Sequence, residues 1–206
     1  MSQTHSQAME PNMSQNEAEN CRSWKAFSYS DVYEGCFTVE ECADIIALHQ
    51  TNRMVQGKIL NAEGRALRDS DIFWISRTAG TDWIFRRLWE AVGNYNLTYN
   101  FELADQMGQA QLTRYRPGQH YEWHMDLGSD GPSLRKVTAV VELTSQGSIT
   151  GGGIEVFYGQ PVGNKVDLDA GDVLLFPSFV MHRALPVTSG TRWSLVFWLN
   201  GTRPLR

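Results

Sequence analysis

The nine residues from Gly118 to Asp126 read GQHYEWHMD and hold two histidines, two carboxylates and two aromatic side chains. On a helix, His120 and His124 would stand one turn apart, as in the His-Glu-x-x-His pair of zinc proteases. That chemistry needs a glutamate directly after the first histidine, and Tyr121 stands there instead. Pro117-Gly118 just upstream also resists a continuous helix. On a strand, side chains alternate between faces. His120, Glu122, His124 and Asp126 would then share one face, and Tyr121, Trp123 and Met125 the other. His124 and Asp126 would lie roughly 6–7 Å apart along the strand, close enough to converge on one metal ion, whereas His120 would be roughly 13 Å from His124 and too far to share it. Glu122 has two readings: it orients a ligand from behind, or it faces solvent beyond a bulge.

A third ligand must come from another strand. Of the five histidines, His5 is in the N-terminal stretch and His49 falls on an expected helix, which leaves His182. Two imidazoles and one carboxylate on one face of an octahedral ion leave three positions open, the arrangement of non-haem Fe(II) oxygenases. Open positions imply a co-substrate, and a co-substrate needs an anchor. Arg192 starts the last apolar segment, and Ser194 shares its face by alternation. A guanidinium there can grip a carboxylate in a two-toothed fork. Taken alone, Arg192 would be read as a solvated edge residue, like most arginines. Beside a metal face, and leading into WSLVFW, the anchor reading prevails.

Elements must position these groups. In FTVEECADIIALHQ, Thr38 suits an N-cap with Glu41 three residues on, and Cys42, Ile45 and Ile46 follow at helical spacing. A second helix is expected through TDWIFRRLWEAVGNYN, with Ile84, Leu88 and Val92 as its stripe, widened by Phe85, Trp89 and Tyr95. Between them, GKILNAEGRALRDSD reads as a loop or irregular hairpin and IFWIS as a short strand. From about residue 100, short β-branched and aromatic segments alternate with turn residues: AQLTRYRP, HYEWHMD, KVTAVVELT, GGIEVFYG, GDVLLFP and RWSLVFWLN. The fold class expected is mainly β with flanking helices, a sandwich or barrel with both helices on one outer face. Residues 1–20 read as a disordered tail, and 21–206 as a single domain.

Composition narrows the partners. The 206 residues suffice for one sizeable core. A net charge of −5 without a basic block argues against nucleic acid and anionic membranes. No apolar run reaches spanning length, and the N-terminus lacks the pattern of a secretory signal. Three cysteines, Cys21, Cys36 and Cys42, are odd in number and form no Cys-x-x-Cys pair, which fits a reducing cytoplasm. The partner expected is a small-molecule or peptide substrate; oligomeric state is not legible.

The stretches LTRYRPGQHYEWHMD, GGGIEVF and AGDVLLFPSFVMHRALPVTSGTRWSLVFWLNG resemble the catalytic core of 2-oxoglutarate- and Fe(II)-dependent dioxygenases, specifically the prolyl 4-hydroxylase-like group. FTVEECADII and NLTYNFEL resemble what precedes that core in bacterial members. The resemblance implies a double-stranded β-helix, or jelly roll, spanning about 100–201. It implies His124, Asp126 and His182 as iron ligands. It sets Arg192 against the distal carboxylate of 2-oxoglutarate, helped by Ser194 and by Tyr115. O2 would be the other co-substrate, and ascorbate would keep the iron reduced. The implied reaction is hydroxylation of a C–H bond in a prolyl, peptidyl or free amino-acid-type substrate, with release of succinate and CO2. Related halogenases have a small residue at the carboxylate position, so Asp126 implies oxidation without halide. Two features depart from the pattern. Many prolyl 4-hydroxylases use lysine where this chain has Arg192, and the segments Lys58 to Asp71 and Leu127 to Leu134 match no member of known substrate. Two competing readings are a non-catalytic jelly-roll binding module and a cupin-type dioxygenase. The former would not need these four groups in register, and the latter needs a histidine that this chain lacks.

Overall fold

The computed structural model describes residues 29–204, except 52, 105–107, 130 and 160–161; the expected tail (1–20) and Cys21 lie outside the described residues. In chain order the strands are β1 (Asp31–Tyr33), β2 (Val55–Gln56), β3 (Ile59–Leu60), β4 (Ala66–Asp69), β5 (Asp71–Ser76), β6 (Gln109–Tyr115), β7 (His120–His124), β8 (Arg135–Glu142), β9 (Thr150–Gly151), β10 (Ile154–Val156), β11 (Asn164–Val166), β12 (Val173–Pro177), β13 (His182–Ala184), β14 (Val187–Ser189) and β15 (Arg192–Asn200). The α-helices are α1 (Val39–Ala47) and α2 (Asp82–Tyr99). No described helix is long and apolar enough to cross a membrane.

Two antiparallel sheets form the jelly roll. The larger runs β1-β12-β8-β15-β6-β5-β2 and the smaller β11-β10-β13-β7-β4-β3. The stretch read as a loop or irregular hairpin is a hairpin: β3 pairs with β4 across a register shift.

Alternation divides the large sheet into two faces with different tasks. Val137, Ala139 and Val141 of β8, Val173 and Leu175 of β12, and Leu195, Phe197 and Leu199 of β15 point outward. They pack against α1 and α2 in one buried cluster. Ile84, Phe85, Leu88, Val92 and Tyr95 of α2 are fully buried there, each worth about 1.5–3 kcal/mol of apolar burial. Phe85 meets Phe197 edge to face, with ring centroids 5.9 Å apart. Both helices thus lie on one outer face, as the apolar stripes predict. The residues between them in sequence point inward: Gln111, Thr113 and Tyr115 on β6, and Ser194, Val196 and Trp198 on β15. With helices on one side and the second sheet on the other, these strands read as nearly continuous apolar runs.

Local rules fix the helix ends. Thr38 Oγ1 accepts from the Glu41 N–H at 3.2 Å, and the Thr38 N–H donates to Glu41 Oε2 at 2.9 Å, a complete capping box. Glu41 also binds Arg87 of α2, tying the two helices together. Gly171, in the turn before β12, has φ +96°, and a Cβ there would meet the Phe37 carbonyl oxygen at 1.9 Å. Only glycine fits. Its N–H donates to the Glu142 carbonyl at 2.8 Å, which holds the end of β8 in place.

Candidate metal centre

His124 closes β7 and His182 opens β13; antiparallel pairing sets them directly opposite each other. Their rings approach to 4.2 Å between centroids. Asp126 follows two residues after β7, where its N–H donates to the Ser178 carbonyl at 3.0 Å. One ligand atom from each of the three residues lies within 4.8 Å of the others. His124 Nε2 is 3.7 Å from Asp126 Oδ1, and His182 Nε2 is 3.5 Å from Asp126 Oδ2.

The donor chemistry fits a metal ion. Each Nδ1 lies against a backbone carbonyl: Glu122 at 2.7 Å for His124, and Val180 at 2.9 Å for His182. A carbonyl only accepts, so Nδ1 carries the proton and the Nε2 lone pair is left for a metal. Adjacent ligands of an octahedral ion stand about 3 Å apart, so the observed set needs only a small contraction. Burial, and then the neighbouring His182, push the His124 pKa down to about 3. At neutral pH it is therefore unprotonated and ready to ligate. Burial opposes ionisation of Asp126, but the two imidazoles outweigh it and hold the carboxyl below its ordinary value. Thr138 Oγ1 donates to Asp126 Oδ2 at 2.9 Å and lies 3.0 Å from Ser178 Oγ. The Trp198 Nε1–H is buried and makes no hydrogen bond of ordinary geometry. It lies close enough to Asp126 to favour the ionised form.

These donors line a cavity of about 170 Å³ between the sheets, together with Tyr115, Arg192 and Ser194. Arg192 is 2% exposed, so it is no solvated edge residue. Its Nε and Nη2 both lie 2.8 Å from Oε2 of Glu142, itself 4% exposed. Burial raises the Glu142 pKa although Arg192 pulls it down. Nη1 of Arg192 has no hydrogen-bond partner among the described residues and can serve a second carboxylate. Tyr115 pairs with Arg192 across the β6–β15 ladder, and the guanidinium lies 5.7 Å from its ring centroid. Burial raises the Tyr115 pKa, which keeps its hydroxyl a donor. Gly152 packs beneath the arginine, where a Cβ would meet Arg192 Cδ at 3.3 Å. Val140 and Ile154 give the cavity an apolar wall. Phe176 sits behind it, 4.6 Å from the His182 ring.

Strict alternation along β7 does not hold. His182 pairs with His124, but Ala184 pairs with Tyr121, so β7 carries one extra residue. This bulge flips the parity of what precedes it. Tyr121 joins the metal face, stacked on His124 at 3.4 Å, while the Glu122 side chain turns out to Arg65 at 2.7 Å. Of the two readings of the Glu122 side chain, its position matches the one that turns it away beyond a bulge; the contact to His124 comes from the Glu122 backbone carbonyl. His120 stays outside the converging donors and lies 3.2 Å from the Gly118 carbonyl.

Sequence reasoning missed Thr138, Glu142, Arg68, Arg135 and Trp198. A signal existed for two of them. In KVTAVVELT, Thr138 and Glu142 fall on the inward face of a strand that is otherwise apolar. A carboxylate there requires a buried cation.

Residues 110–200 match the 2OG-Fe(II) oxygenase superfamily. A PKHD-type hydroxylase of Cupriavidus pinatubonensis is 36% identical over 98 residues, which are 43% of this chain and 41% of that protein. One from Shewanella oneidensis is 34% identical over 95 residues, again 43% of this chain and 41% of that protein. The chain thus spans about two-fifths of the length of these curated relatives. Among solved structures, a Pseudomonas putida prolyl-4-hydroxylase superposes with a TM-score of 0.68 at 22% identity, covering 86% of this chain and 95% of that one. A 2OG-Fe(II) oxygenase family oxidoreductase from Burkholderia pseudomallei gives 0.66 at 17% identity, covering 92% and 93%. At these identities the structural likeness speaks for the jelly-roll fold.

Proposed function

We propose that this chain is a 2-oxoglutarate- and Fe(II)-dependent dioxygenase, a reading supported by the match of residues 110–200 to the 2OG-Fe(II) oxygenase superfamily. The reaction is 2-oxoglutarate plus O2 plus a substrate C–H bond, giving succinate, CO2 and the hydroxylated product. The substrate belongs to the prolyl, peptidyl or free amino-acid type. Ascorbate serves as the reductant that restores the metal, and the free thiols of Cys36 and Cys42 suit a cytoplasmic setting.

One observation carries the reading: two imidazole nitrogens and a carboxylate converge in a cavity that also holds a buried arginine. His124, Asp126 and His182 would hold Fe(II), which, when bound, supplies the O2 chemistry that side chains lack. The Glu122 and Val180 carbonyls fix both rings in the ligating tautomer. Thr138 orients the Asp126 carboxylate. Arg192, through Nη1, and the hydroxyls of Tyr115 and Ser194 would bind the distal carboxylate of 2-oxoglutarate. Val140 and Ile154 keep water away from the reacting centre.

The test is succinate formation from 2-oxoglutarate with added Fe(II), alongside Mn(II) affinity by calorimetry. The native protein is expected to bind Mn(II) and 2-oxoglutarate and to form succinate, and Asp126→Ala and His182→Ala to lose metal binding. Native protein that binds neither metal nor 2-oxoglutarate would return the chain to the class of non-catalytic jelly rolls.

A further inference from the structure

Six described arginines are at least partly buried: Arg68, Arg87, Arg114, Arg135, Arg183 and Arg192. Four have a carboxylate partner, namely Glu41, Asp71, Glu155 and Glu142 in the order Arg87, Arg114, Arg183, Arg192. The two without a carboxylate within salt-bridge distance among the described residues are Arg68 and Arg135, and both line the cavity of the metal centre.

Their partners are neutral. Arg68 donates from Nε to Ser70 Oγ at 2.9 Å and from Nη2 to Gln111 Oε1 at 2.5 Å. Its guanidinium lies over Tyr121, 4.9 Å from the ring centroid. Arg135 donates from Nη1 to the Asp126 carbonyl at 3.2 Å and stacks on Trp198 at 3.9 Å. The two cations flank the metal donors from opposite partners, Arg68 through the tyrosine stacked on His124 and Arg135 through Asp126 itself. Asp126 is within electrostatic reach of Arg135 but forms no ion pair with either arginine, its carboxylate oxygens being turned to the two imidazoles and Thr138. Glu142 does not either, because it holds Arg192. A half-buried cation with only neutral partners is costly, and an anion entering the cavity relieves that cost.

Counting formal charges in and beside the cavity, three guanidinium groups face two carboxylates. A divalent metal and the dianion 2-oxoglutarate cancel each other, so one positive charge is left over. We propose that the substrate carries a carboxylate that docks between Arg68 and Arg135, its oxidised carbon pointing at the metal. This rests on the dioxygenase reading above and narrows it: the substrate is a free acid, such as an amino acid or a chain ending in a carboxylate, in preference to an internal residue of a neutral peptide. The planar forks of both arginines suit a carboxylate better than a point ammonium would.

The test uses matched pairs that differ only in charge: isobutyrate and isobutyramide, benzoate and benzamide, N-acetylglycine and its amide. Each is titrated by calorimetry onto the full chain loaded with Mn(II) and saturated with 2-oxoglutarate, and also onto the metal-free chain. The carboxylates are expected to bind at least about tenfold more tightly than their amides, the effect of one charge-assisted fork. Arg68→Gln and Arg135→Gln should each cut that preference several-fold, and the double variant should abolish it. Arg68→Lys and Arg135→Lys retain the charge and should retain part of the preference, which separates recognition from loss of packing. Equal binding of acid and amide would overturn the proposal. So would a preference that survives the double replacement, or the failure of every carboxylate to bind protein that holds Mn(II) and 2-oxoglutarate. Failure to bind Mn(II) or 2-oxoglutarate would instead sink the dioxygenase reading, while the metal-free titration still decides the carboxylate preference.

Discussion

Replacing Glu142 by glutamine tests how the anchor end of the cavity is held. Glu142 and Arg192 are 4% and 2% exposed, and both arginine contacts converge on one carboxylate oxygen at 2.8 Å. Glutamine keeps the shape and one acceptor but leaves the guanidinium without its counter-charge. Breaking one side of a buried pair costs about 3–5 kcal/mol, and the retained amide oxygen argues for the lower end. In a chain of this size each kcal/mol moves the melting temperature by about 2–4 °C, so a drop of roughly 6–12 °C is expected. The reciprocal change, Arg192→Gln, should cost less. Burial already raises the Glu142 pKa despite the arginine, so an abandoned Glu142 can take up a proton, whereas an abandoned arginine cannot lose one. Binding adds a second prediction from the same pair. With Glu142 uncharged, the distal carboxylate of 2-oxoglutarate becomes the only counter-ion of Arg192, so 2-oxoglutarate with Mn(II) should raise the melting temperature of Glu142→Gln more than that of native protein. Differential scanning calorimetry of the native, Glu142→Gln and Arg192→Gln proteins, with and without Mn(II) and 2-oxoglutarate, measures all of this. A Glu142→Gln melting point within about 2 °C of native would refute the buried-charge reasoning, since it corresponds to no more than about 1 kcal/mol. A larger loss in Arg192→Gln, or a smaller ligand shift in Glu142→Gln than in native protein, would do the same.

Other outcomes follow from the same geometry. Thr138→Val removes the donor to Asp126 Oδ2 at constant shape and should weaken Mn(II) binding by about 10–100-fold, read by calorimetry; unchanged affinity would show that Asp126 needs no orienting partner. The metal-free protein should lose stability as pH falls from about 6.5 toward 3, because unfolded His124 binds a proton there and folded His124, with its pKa near 3, does not. Between pH 6.5 and 5 the loss from this group is about 2 kcal/mol in urea denaturation, deepened below about pH 4 by Asp126, whose depressed pKa acts in the same direction. His124→Gln should flatten the upper part of that limb. Glu122→Gln breaks an ion pair to an Arg65 side chain that is 65% exposed and alters a 3.9 Å approach to His120. It should change stability by less than about 0.5 kcal/mol and leave metal affinity intact, since the Glu122 carbonyl holds His124.

Much of the site was legible because its signals are local or depend on side-chain type. Histidine is scarce in this chain, so His182 could be singled out by elimination. Alternation placed Ser194 beside Arg192, and both line the cavity. The Thr38–Glu41 capping box and the apolar stripe of α2 are likewise properties of neighbouring residues, and both formed as read. The short strands β1, β9, β11 and β14 were not legible. They span only two or three residues, too few to show a period, and exist because a partner strand pairs with them.

What the sequence by itself determined is the set of groups and the order in which the chain delivers them: a His-x-Asp pair, a distant histidine, and an arginine leading the last strand. Tertiary structure decided which way they face and what answers their charge. The bulge in β7 comes from pairing with β13, and a one-residue slip sends Tyr121 inward and Glu122 outward, which no reading of HYEWH alone can foresee. The partnership of Glu142 with Arg192 is likewise set by the β8–β15 ladder, which brings two charges together across 50 residues of sequence. The absence of such a partner for Arg68 and Arg135 could be seen only once every described carboxylate had been assigned a place. Charge balance in a closed cavity belongs to the whole fold, because burial, not sequence distance, sets how strongly two charges must answer each other.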